Sequence, residues 1–193
     1  MVLFKKPEKL RSGLSLILIS LMMLLLVSLV SGCGNQDGKL SPGTNPPPAS
    51  PAAEEKMSKI TLYFSNNQAE KLVAEQREVM VKDESLAEAV VKELIKGPRE
   101  KDLVKTIPEE TRLLSLTVSE GVAQVNFSQE FQTKHWGGSS GESMTVYSVT
   151  NSLAEIDGIK KVQFLIDGKQ VESLAGHIDL TQPITPDKDL IKK

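Results

Sequence analysis

The stretch that decides the fold runs from Thr111 to Phe127 and reads TRLLSLTVSEGVAQVNF. Apolar and polar residues alternate on both sides of a short turn signal, Ser119-Glu120-Gly121. Alternation with a period of two is typical of a strand with one buried face, and two such runs joined by a glycine turn predict a β-hairpin. We therefore expect antiparallel strands from Thr111 to Val118 and from Val122 to Phe127.

The segment after the hairpin predicts a helix and a further strand. Between Glu142 and Ile156 the apolar residues recur at helical spacing, and Asp157-Gly158 follows as a stop signal. Lys161 to Ile166 alternates again, and Asp167-Gly168 predicts a tight turn behind this last strand.

Upstream of the hairpin, the sequence predicts two strands and one helix. Residues 60–65 alternate in the manner of a half-buried strand, and residues 77–82 form a weaker strand candidate. Ser85 and Glu88 have the spacing of a capping box at a helix start, and Gly97-Pro98 ends that helix. The order of elements predicts an α+β domain, with two helices packed on one face of a small, mostly antiparallel sheet.

The N-terminal region has the layout of a secretory signal. A basic segment precedes an apolar run from Leu14 to Val30, and small residues follow it. The alternative is a permanent transmembrane anchor, since a run of this length lies at the short limit for a span. Both interpretations place the folded part outside the cytoplasm.

The junction Val30-Ser31-Gly32-Cys33 resembles the bacterial lipobox. That resemblance implies that residues 1–32 are removed as a lipoprotein signal peptide and that the Cys33 thiol carries lipid, with palmitate among the acyl groups. Two acyl chains on one residue anchor a protein stably. We therefore expect a lipid-anchored protein on the extracytoplasmic face of the cell membrane.

Composition divides the rest of the chain. Residues 33–58 form a proline-rich linker that cannot build a core, because half of the chain's ten prolines lie there and large apolar residues are scarce. Residues 59–181 form the single folded domain, a size that supports one core. Residues 182–193 are expected to be a C-terminal tail with a solvated, frayed end.

The overall composition excludes several functions. The 193 residues include one cysteine and two histidines, and the net charge is -2. A disulfide framework and a cysteine-rich metal site are therefore excluded, and no basic excess is present to bind nucleic acid. We expect no metal and no cofactor.

Six motifs, taken in order, resemble those of the GerMN domain of sporulation and spore-germination proteins. They are Ile60 to Ser65, Glu93 to Pro98, Ile107 to Thr111, Gly121 to Ser128, Val162 to Lys169 and Gly176 to Asp179. The resemblance implies a fold similar to ring-building modules and a protein-binding or scaffolding role in sporulation or germination envelope assemblies, without catalysis. The family usually has an acidic residue where this chain has Asn126, so a role tied to that charge does not carry over.

One motif suggests an alternative function. Gly137 to Gly141 fits the G-x-S-x-G pattern with Ser139 as nucleophile, and Asp157 or Asp167 followed by His177 would give the hydrolase order. No apolar strand leads into this motif, so we expect no catalytic residues. A small cell-surface serine hydrolase using Ser139 remains the alternative.

The same loop contains the candidate partner-binding residues His135, Trp136, Gly137 and Gly138. The single tryptophan lies outside the core pattern, so it is either an exposed anchor for another envelope or sporulation protein or folded back over a sheet edge. Free amides at the start of the second helix could bind an anion or wall polymer. We expect instead that Glu142 or a serine hydroxyl caps them.

Overall fold

A computed structural model describes residues 56–82 and 84–193. The predicted signal peptide, the predicted lipobox residues Val30, Ser31, Gly32 and Cys33, and most of the predicted linker lie outside the described residues. The elements are β1 (Lys56–Asn66), β2 (Leu72–Val81), α1 (Leu86–Lys96), β3 (Leu103–Val104), β4 (Leu113–Ser119), β5 (Val122–Phe127), α2 (Glu130–Thr133), α3 (Ser139–Ala154), β6 (Lys161–Ile166) and β7 (Lys169–Gln170).

The α+β class predicted from the sequence is confirmed, with the strands divided between two sheets. The first sheet has the order β2-β1-β3 and the second β4-β5-β6-β7. All neighbours are antiparallel except β5 and β6. These two strands are parallel because the connection between them contains the long helix α3, which returns the chain to the same end of the sheet.

The predicted hairpin forms with a tight turn. Glu120 and Gly121 have φ angles of 51° and 79°, the left-handed values that a two-residue hairpin turn requires. A β-bulge between Leu113 and Ser115 leaves Leu114 without a partner in β5. A regular strand would place Leu114 on the same face as Leu116 and Val118, and the extra residue of the bulge breaks that alternation.

Helix α1 begins and ends as its sequence indicates. The Ser85 hydroxyl accepts from the amide of Glu88, whose carboxylate accepts from the amide of Ser85, so both arms of the capping box are present. Gly97 ends the helix with a φ of 89°. The buried side chains of α1 include Val90, Val91 and Leu94, which pack into the main core.

Helix α3 starts earlier than the sequence predicts, at Ser139, and one of its faces buries hydroxyl groups. The Ser148 hydroxyl donates to the Tyr63 carbonyl at 2.6 Å, and the Tyr63 amide donates to the Ser152 hydroxyl at 2.9 Å. These bonds satisfy backbone groups of Tyr63, which lies beyond the two residues of β1, Ser65 and Asn66, that pair with β3. Helix α3 therefore covers part of the open edge of β1.

The short helix α2 is fastened to the second sheet by aromatic packing. The rings of Phe127 and Phe131 stack with centroids 4.2 Å apart, and Phe164 lies 6.2 Å from Phe131. All three side chains are fully buried. This packing fixes where the chain leaves α2, which is the starting point of the candidate site.

The prediction of a frayed C-terminal end is wrong. The Leu72 amide donates to the Leu190 carbonyl and the Lys192 amide donates to the Leu72 carbonyl, both at 2.8 Å. Further back, Ile184 forms a two-bond bridge with Val162 of β6. Leu190 and Ile191 pack against a second apolar cluster that contains Leu72, so the fold extends well beyond residue 181.

Candidate protein-binding surface

The connection between α2 and α3 brings the predicted partner-binding residues together on the surface. Trp136 is 46% exposed, so the alternative in which it is an exposed side chain holds in the structure. Its ring stacks near that of His135, with centroids 6.3 Å apart and planes 19° from parallel. The two rings form a flat aromatic surface.

Glycines hold the backbone of this connection against α3. Gly137 has a φ of 85°, which side chains rarely adopt. A Cβ atom at Gly141 would lie 2.8 Å from the carbonyl oxygen of Trp136, so only glycine allows the first turn of α3 to approach this closely. The glycine-rich motif is therefore explained by packing of the Trp136 backbone.

The His135 ring forms a hydrogen bond with a threonine of α3. Its Nε2 atom lies 3.1 Å from the Thr145 hydroxyl, which lies 2.6 Å from the carbonyl oxygen of Thr106. The hydroxyl has one proton, and when it donates that proton to this carbonyl, His135 Nε2–H is the donor to Thr145. Burial lowers the pKa of His135 and the Glu142 charge only partly offsets this, so the ring is neutral at pH 7.

A shallow cavity of about 80 Å³ opens beside Trp136. Val104 of β3 also lines it and is 39% exposed, so two large exposed apolar side chains border one depression. The turn between β1 and β2 supplies the polar wall with Asn66 and Asn67. We call His135, Trp136, Val104, Asn66 and Asn67 the Trp136 surface.

A second depression, of about 580 Å³, lies between β2, α1 and β4. Met80 borders it, is 48% exposed, and pairs across the sheet with the exposed Met57. Charged side chains of both signs line the rest, including the ion-paired Lys92 and Glu84. Sequence reasoning missed this methionine pair, although both residues fall out of phase with the buried positions of their strands.

The structure does not assemble the hydrolase alternative around Ser139. Ser139 is the exposed first residue of α3, and Asp157 follows the other end of this 16-residue helix, about 24 Å away along its axis. Within residues 56–82 and 84–193, no hydrogen bond joins Ser139 to either histidine. The chain enters α3 from an irregular connection and not from a strand, so no nucleophile elbow forms.

The prediction that Glu142 or a serine caps the start of α3 is wrong. The N-cap is Gly138, which has no side chain to bond, and the Glu142 carboxylate points to another segment. Its Oε1 accepts from the amides of Leu174 and Ala175 at 2.8 and 3.1 Å, and its Oε2 accepts from the amide of His177 at 2.8 Å.

The environment of Glu142 keeps it charged although the side chain is fully buried. Burial alone raises the pKa, but hydrogen bonds from four backbone amides between residues 174 and 178 outweigh it and hold the pKa below its ordinary 4.5. Glu142 therefore fastens the segment after β7 to the helix that follows Trp136.

The described ranges bring together no group of three or more His, Cys, Asp or Glu side chains suited to hold a metal ion. Among their helices, none has the length and apolar character that crossing a membrane requires.

The family is established by comparison. The model of the Germane family, described as sporulation and spore germination, matches residues 61–172. Because the match covers more than half of the chain, this protein belongs to the Germane family, and the resemblance to GerMN domains is confirmed.

Two solved structures of GerMN domains agree on the fold. The first GerMN domain of the sporulation protein GerM from Bacillus subtilis is 22% identical, with a TM-score of 0.53 over 70% of this chain and 98% of that one. The tandem GerMN domains of the same protein are 19% identical, with a TM-score of 0.54 over 79% of this chain and 50% of that one. A protein from Clostridium perfringens described as a candidate lipoprotein is 28% identical, with a TM-score of 0.49 over 71% of this chain and 93% of that one. No curated protein matches this chain.

Proposed function

We propose that this protein is an extracytoplasmic lipoprotein, anchored through Cys33, whose GerMN domain binds another protein of a sporulation or germination envelope assembly. The proposed role is scaffolding by contact, without a chemical step. Membership of the Germane family supports the link to sporulation and germination. The lipobox residues and the proline-rich linker support an anchored domain held clear of the membrane.

The observation that carries the binding role is the exposed Trp136 on a rigid support. Tryptophan is enriched among the side chains that dominate protein interfaces, because one ring buries a large area at little cost in side-chain entropy. Trp136 is fixed by its ring contact with His135 and by the close approach of its backbone to Gly141. A partner residue could fill the cavity between Trp136 and Val104.

The partner is tested by crosslinking in sporulating cells, followed by recovery of the full-length chain and mass spectrometry. Trp136→Ala is expected to lose a defined partner that the wild type retains. Met80→Ala is the matched control, since Met80 is as exposed as Trp136 and lies in the other depression. Equal recovery of every partner by Trp136→Ala and wild type would contradict a role for this surface.

The anchor is tested separately with Cys33→Ser. We expect the variant to be released into the medium or to remain unprocessed, whereas the wild type partitions with membranes and carries acyl groups on its N-terminal cysteine. Ser31→Ala is the control, because alanine preserves a small residue before the cut. An unmodified Cys33 thiol in the membrane-bound wild type would overturn the lipoprotein proposal.

A further inference from the structure

A row of buried hydroxyl groups runs along one face of α3. Thr145, Ser148 and Ser152 are spaced three and four residues apart, so their side chains lie on the same side of the helix. All three residues are buried. Ser148 and Ser152 bond to the backbone of Tyr63 in β1, as described above. At the other end of the row, Thr145 lines the cavity beside Trp136.

Thr145 bonds to two separate segments that line this cavity. Its hydroxyl oxygen lies 3.1 Å from Nε2 of His135 and 2.6 Å from the carbonyl oxygen of Thr106. His135 directly precedes Trp136, and Thr106 follows Val104 by two residues. One side chain of α3 therefore connects the segment that carries the exposed tryptophan to the segment that carries the exposed valine.

The protons available fix the direction of these bonds. The Thr145 hydroxyl has one proton and two carbonyl oxygens within reach, that of Thr106 and, at 3.0 Å, that of Gly141. Two oxygens 2.6 Å apart repel each other unless a proton lies between them, and a carbonyl oxygen only accepts. The hydroxyl therefore donates to a carbonyl and accepts from His135 Nε2–H. A side chain without a hydroxyl can do neither.

The two segments differ in how much they depend on Thr145. Thr106 is bonded to α3 a second time, since its Oγ1 lies 2.7 Å from Oγ of Ser148. Ser148 gives its own proton to the Tyr63 carbonyl, so Thr106 is the donor in that bond. In the described part of the chain, the His135 ring makes one hydrogen bond, and Thr145 is its partner. The position of the His135 ring therefore depends on this hydroxyl.

We propose that Thr145 is the positioning residue of the Trp136 surface, whose hydroxyl holds the His135 and Trp136 rings in place beside Val104. This inference rests on the proposed function and deepens it, because it names the residue that sets the size of the cavity open to a partner side chain. Without the hydroxyl, the ring loses its acceptor and a buried carbonyl loses its donor, which is unfavourable. The His135 ring then turns toward water, and the Trp136 ring that contacts it moves as well.

The position of Trp136 is measured by fluorescence, because the chain contains one tryptophan. The full-length chain in detergent is titrated with acrylamide, a small neutral quencher. Thr145→Val replaces the hydroxyl by a methyl group of similar size, and we expect a red shift of the emission and stronger quenching than in the wild type. Thr145→Ser keeps the hydroxyl and is expected to keep the wild-type values.

Thr150→Val is the matched control. Thr150 is a fully buried threonine of the same helix, and its hydroxyl donates to the Val146 carbonyl within that helix. We expect this variant to leave the emission and the quenching unchanged. Wild-type emission and quenching in Thr145→Val overturn the proposal. A shift as large in Thr150→Val, or in Thr145→Ser, overturns it as well, because the effect would then not belong to the Thr145 hydroxyl.

The pH profile of the emission gives a readout that a general loss of stability would not move. A protonated imidazole quenches a neighbouring indole, and burial lowers the pKa of His135 while the Glu142 charge partly offsets this. The wild-type emission should therefore fall with a midpoint below pH 6.5. In Thr145→Val the ring leaves its buried place, so the midpoint should rise toward 6.5. An unchanged midpoint overturns the proposal.

A measurement on the wild type keeps the test valid if Thr145→Val does not fold. Nitrogen NMR of the histidine rings at pH 7 should show His135 protonated at Nε2 and not at Nδ1. The opposite tautomer overturns the proposal, because Nε2 could then not donate to Thr145.

Partner capture separates this inference from the proposed function. Thr145→Val is expected to reduce recovery of the partner that Trp136→Ala loses by roughly tenfold, and Thr145→Ser is expected to restore it. Full recovery of that partner by Thr145→Val overturns the positioning role. If Trp136→Ala loses no partner, the proposed function fails, and the fluorescence and NMR results still decide the role of Thr145.

Discussion

Two buried glutamates, Glu93 in α1 and Glu142 in α3, are stabilised by different kinds of partner. Glu93 faces cations, with Arg77 2.8 Å from its Oε2 and Lys96 2.5 Å from its Oε1. Glu142 faces only neutral donors, the backbone amides of the segment after β7. The comparison shows that a buried carboxylate is stabilised either by an opposite charge or by converging peptide dipoles.

The two arrangements also differ in what they connect. Arg77 donates to Glu75 at 2.6 Å and to the carbonyl of Gly97 at 2.6 Å, so one guanidinium joins β2 to the end of α1. Glu75 in turn accepts from the amide of Arg99. Glu142 instead orders an irregular segment against α3. Loss of the cation should therefore weaken the whole first sheet, whereas loss of Glu142 should loosen one segment first.

The largest expected effect is that of Arg77→Met. Methionine keeps much of the apolar stem of Arg77 but removes the guanidinium, whose Cζ lies 5.3 Å from the centre of the Phe64 ring. Glu75 and Glu93 are then left buried without their shared cation. We expect a loss of about 3–5 kcal/mol in the free energy of unfolding, measured by urea denaturation. Arg99→Met is the control, because Arg99 is mostly exposed and lies 3.6 Å from Glu93. A loss below 1 kcal/mol for Arg77→Met would show that the network contributes little.

Glu142→Gln should have the next largest effect. The amide group of glutamine cannot accept the hydrogen bonds that both oxygens of Glu142 accept, and its N–H would oppose a backbone N–H. We expect a loss of about 2–3 kcal/mol. Faster hydrogen exchange at Leu174, Ala175 and His177 should accompany the loss. The control is Glu172→Gln, at an exposed position in the same segment, which should change neither the unfolding free energy nor the exchange rates. Slow exchange at these three amides in Glu142→Gln would contradict the role of Glu142 in ordering the segment.

Acid should weaken both arrangements. Burial raises the pKa of Glu93, but hydrogen bonds from Lys96 and Arg77 outweigh it and hold the pKa below 4.5; Glu142 is shifted in the same direction by backbone amides. The unfolded chain therefore binds more protons than the folded one as the pH falls through about 4.5, so stability falls with it.

The pH dependence of the unfolding free energy also distinguishes the contribution of Glu142 from that of Glu93. In Glu142→Gln one of the shifted groups is absent, so the slope of unfolding free energy against pH below 4.5 should decrease by up to about one proton. Urea denaturation at a series of pH values from 7 down to about 3 measures the slope. A slope identical to that of the wild type would mean that folding does not lower the pKa of Glu142.

The sequence predicted those features that depend on neighbours along the chain. Three of them are present: the hairpin at Ser119-Glu120-Gly121, the capping box of α1 and strand β6. Each follows from a local sequence pattern or from turn chemistry. The division into two sheets was not predictable, because alternation within a strand does not say which strand lies beside it.

The candidate site was predictable only in part. Trp136 was identified because it stands outside the core pattern, and it is exposed. Its neighbour Val104 was missed, since the two residues meet only through the tertiary fold. The role of Glu142 was assigned to its own helix, because the amides that it accepts from come from 32 or more residues further along the chain. Long-range partners of polar side chains leave no local signal.

The smallest expected effect on stability is that of removing the capping box at the start of α1, which the sequence predicted correctly. Ser85→Ala removes the acceptor for the Glu88 amide at an exposed helix start, and we expect a loss of about 1 kcal/mol in unfolding free energy. Ser85→Asp should recover most of it, because aspartate accepts the same bond and its charge is favourable at a helix N-terminus. Ser143→Ala, within α3, is the control in urea denaturation. A loss for Ser85→Ala equal to that for Glu142→Gln would contradict the larger role of Glu142, because water can replace an exposed cap but cannot replace a buried carboxylate.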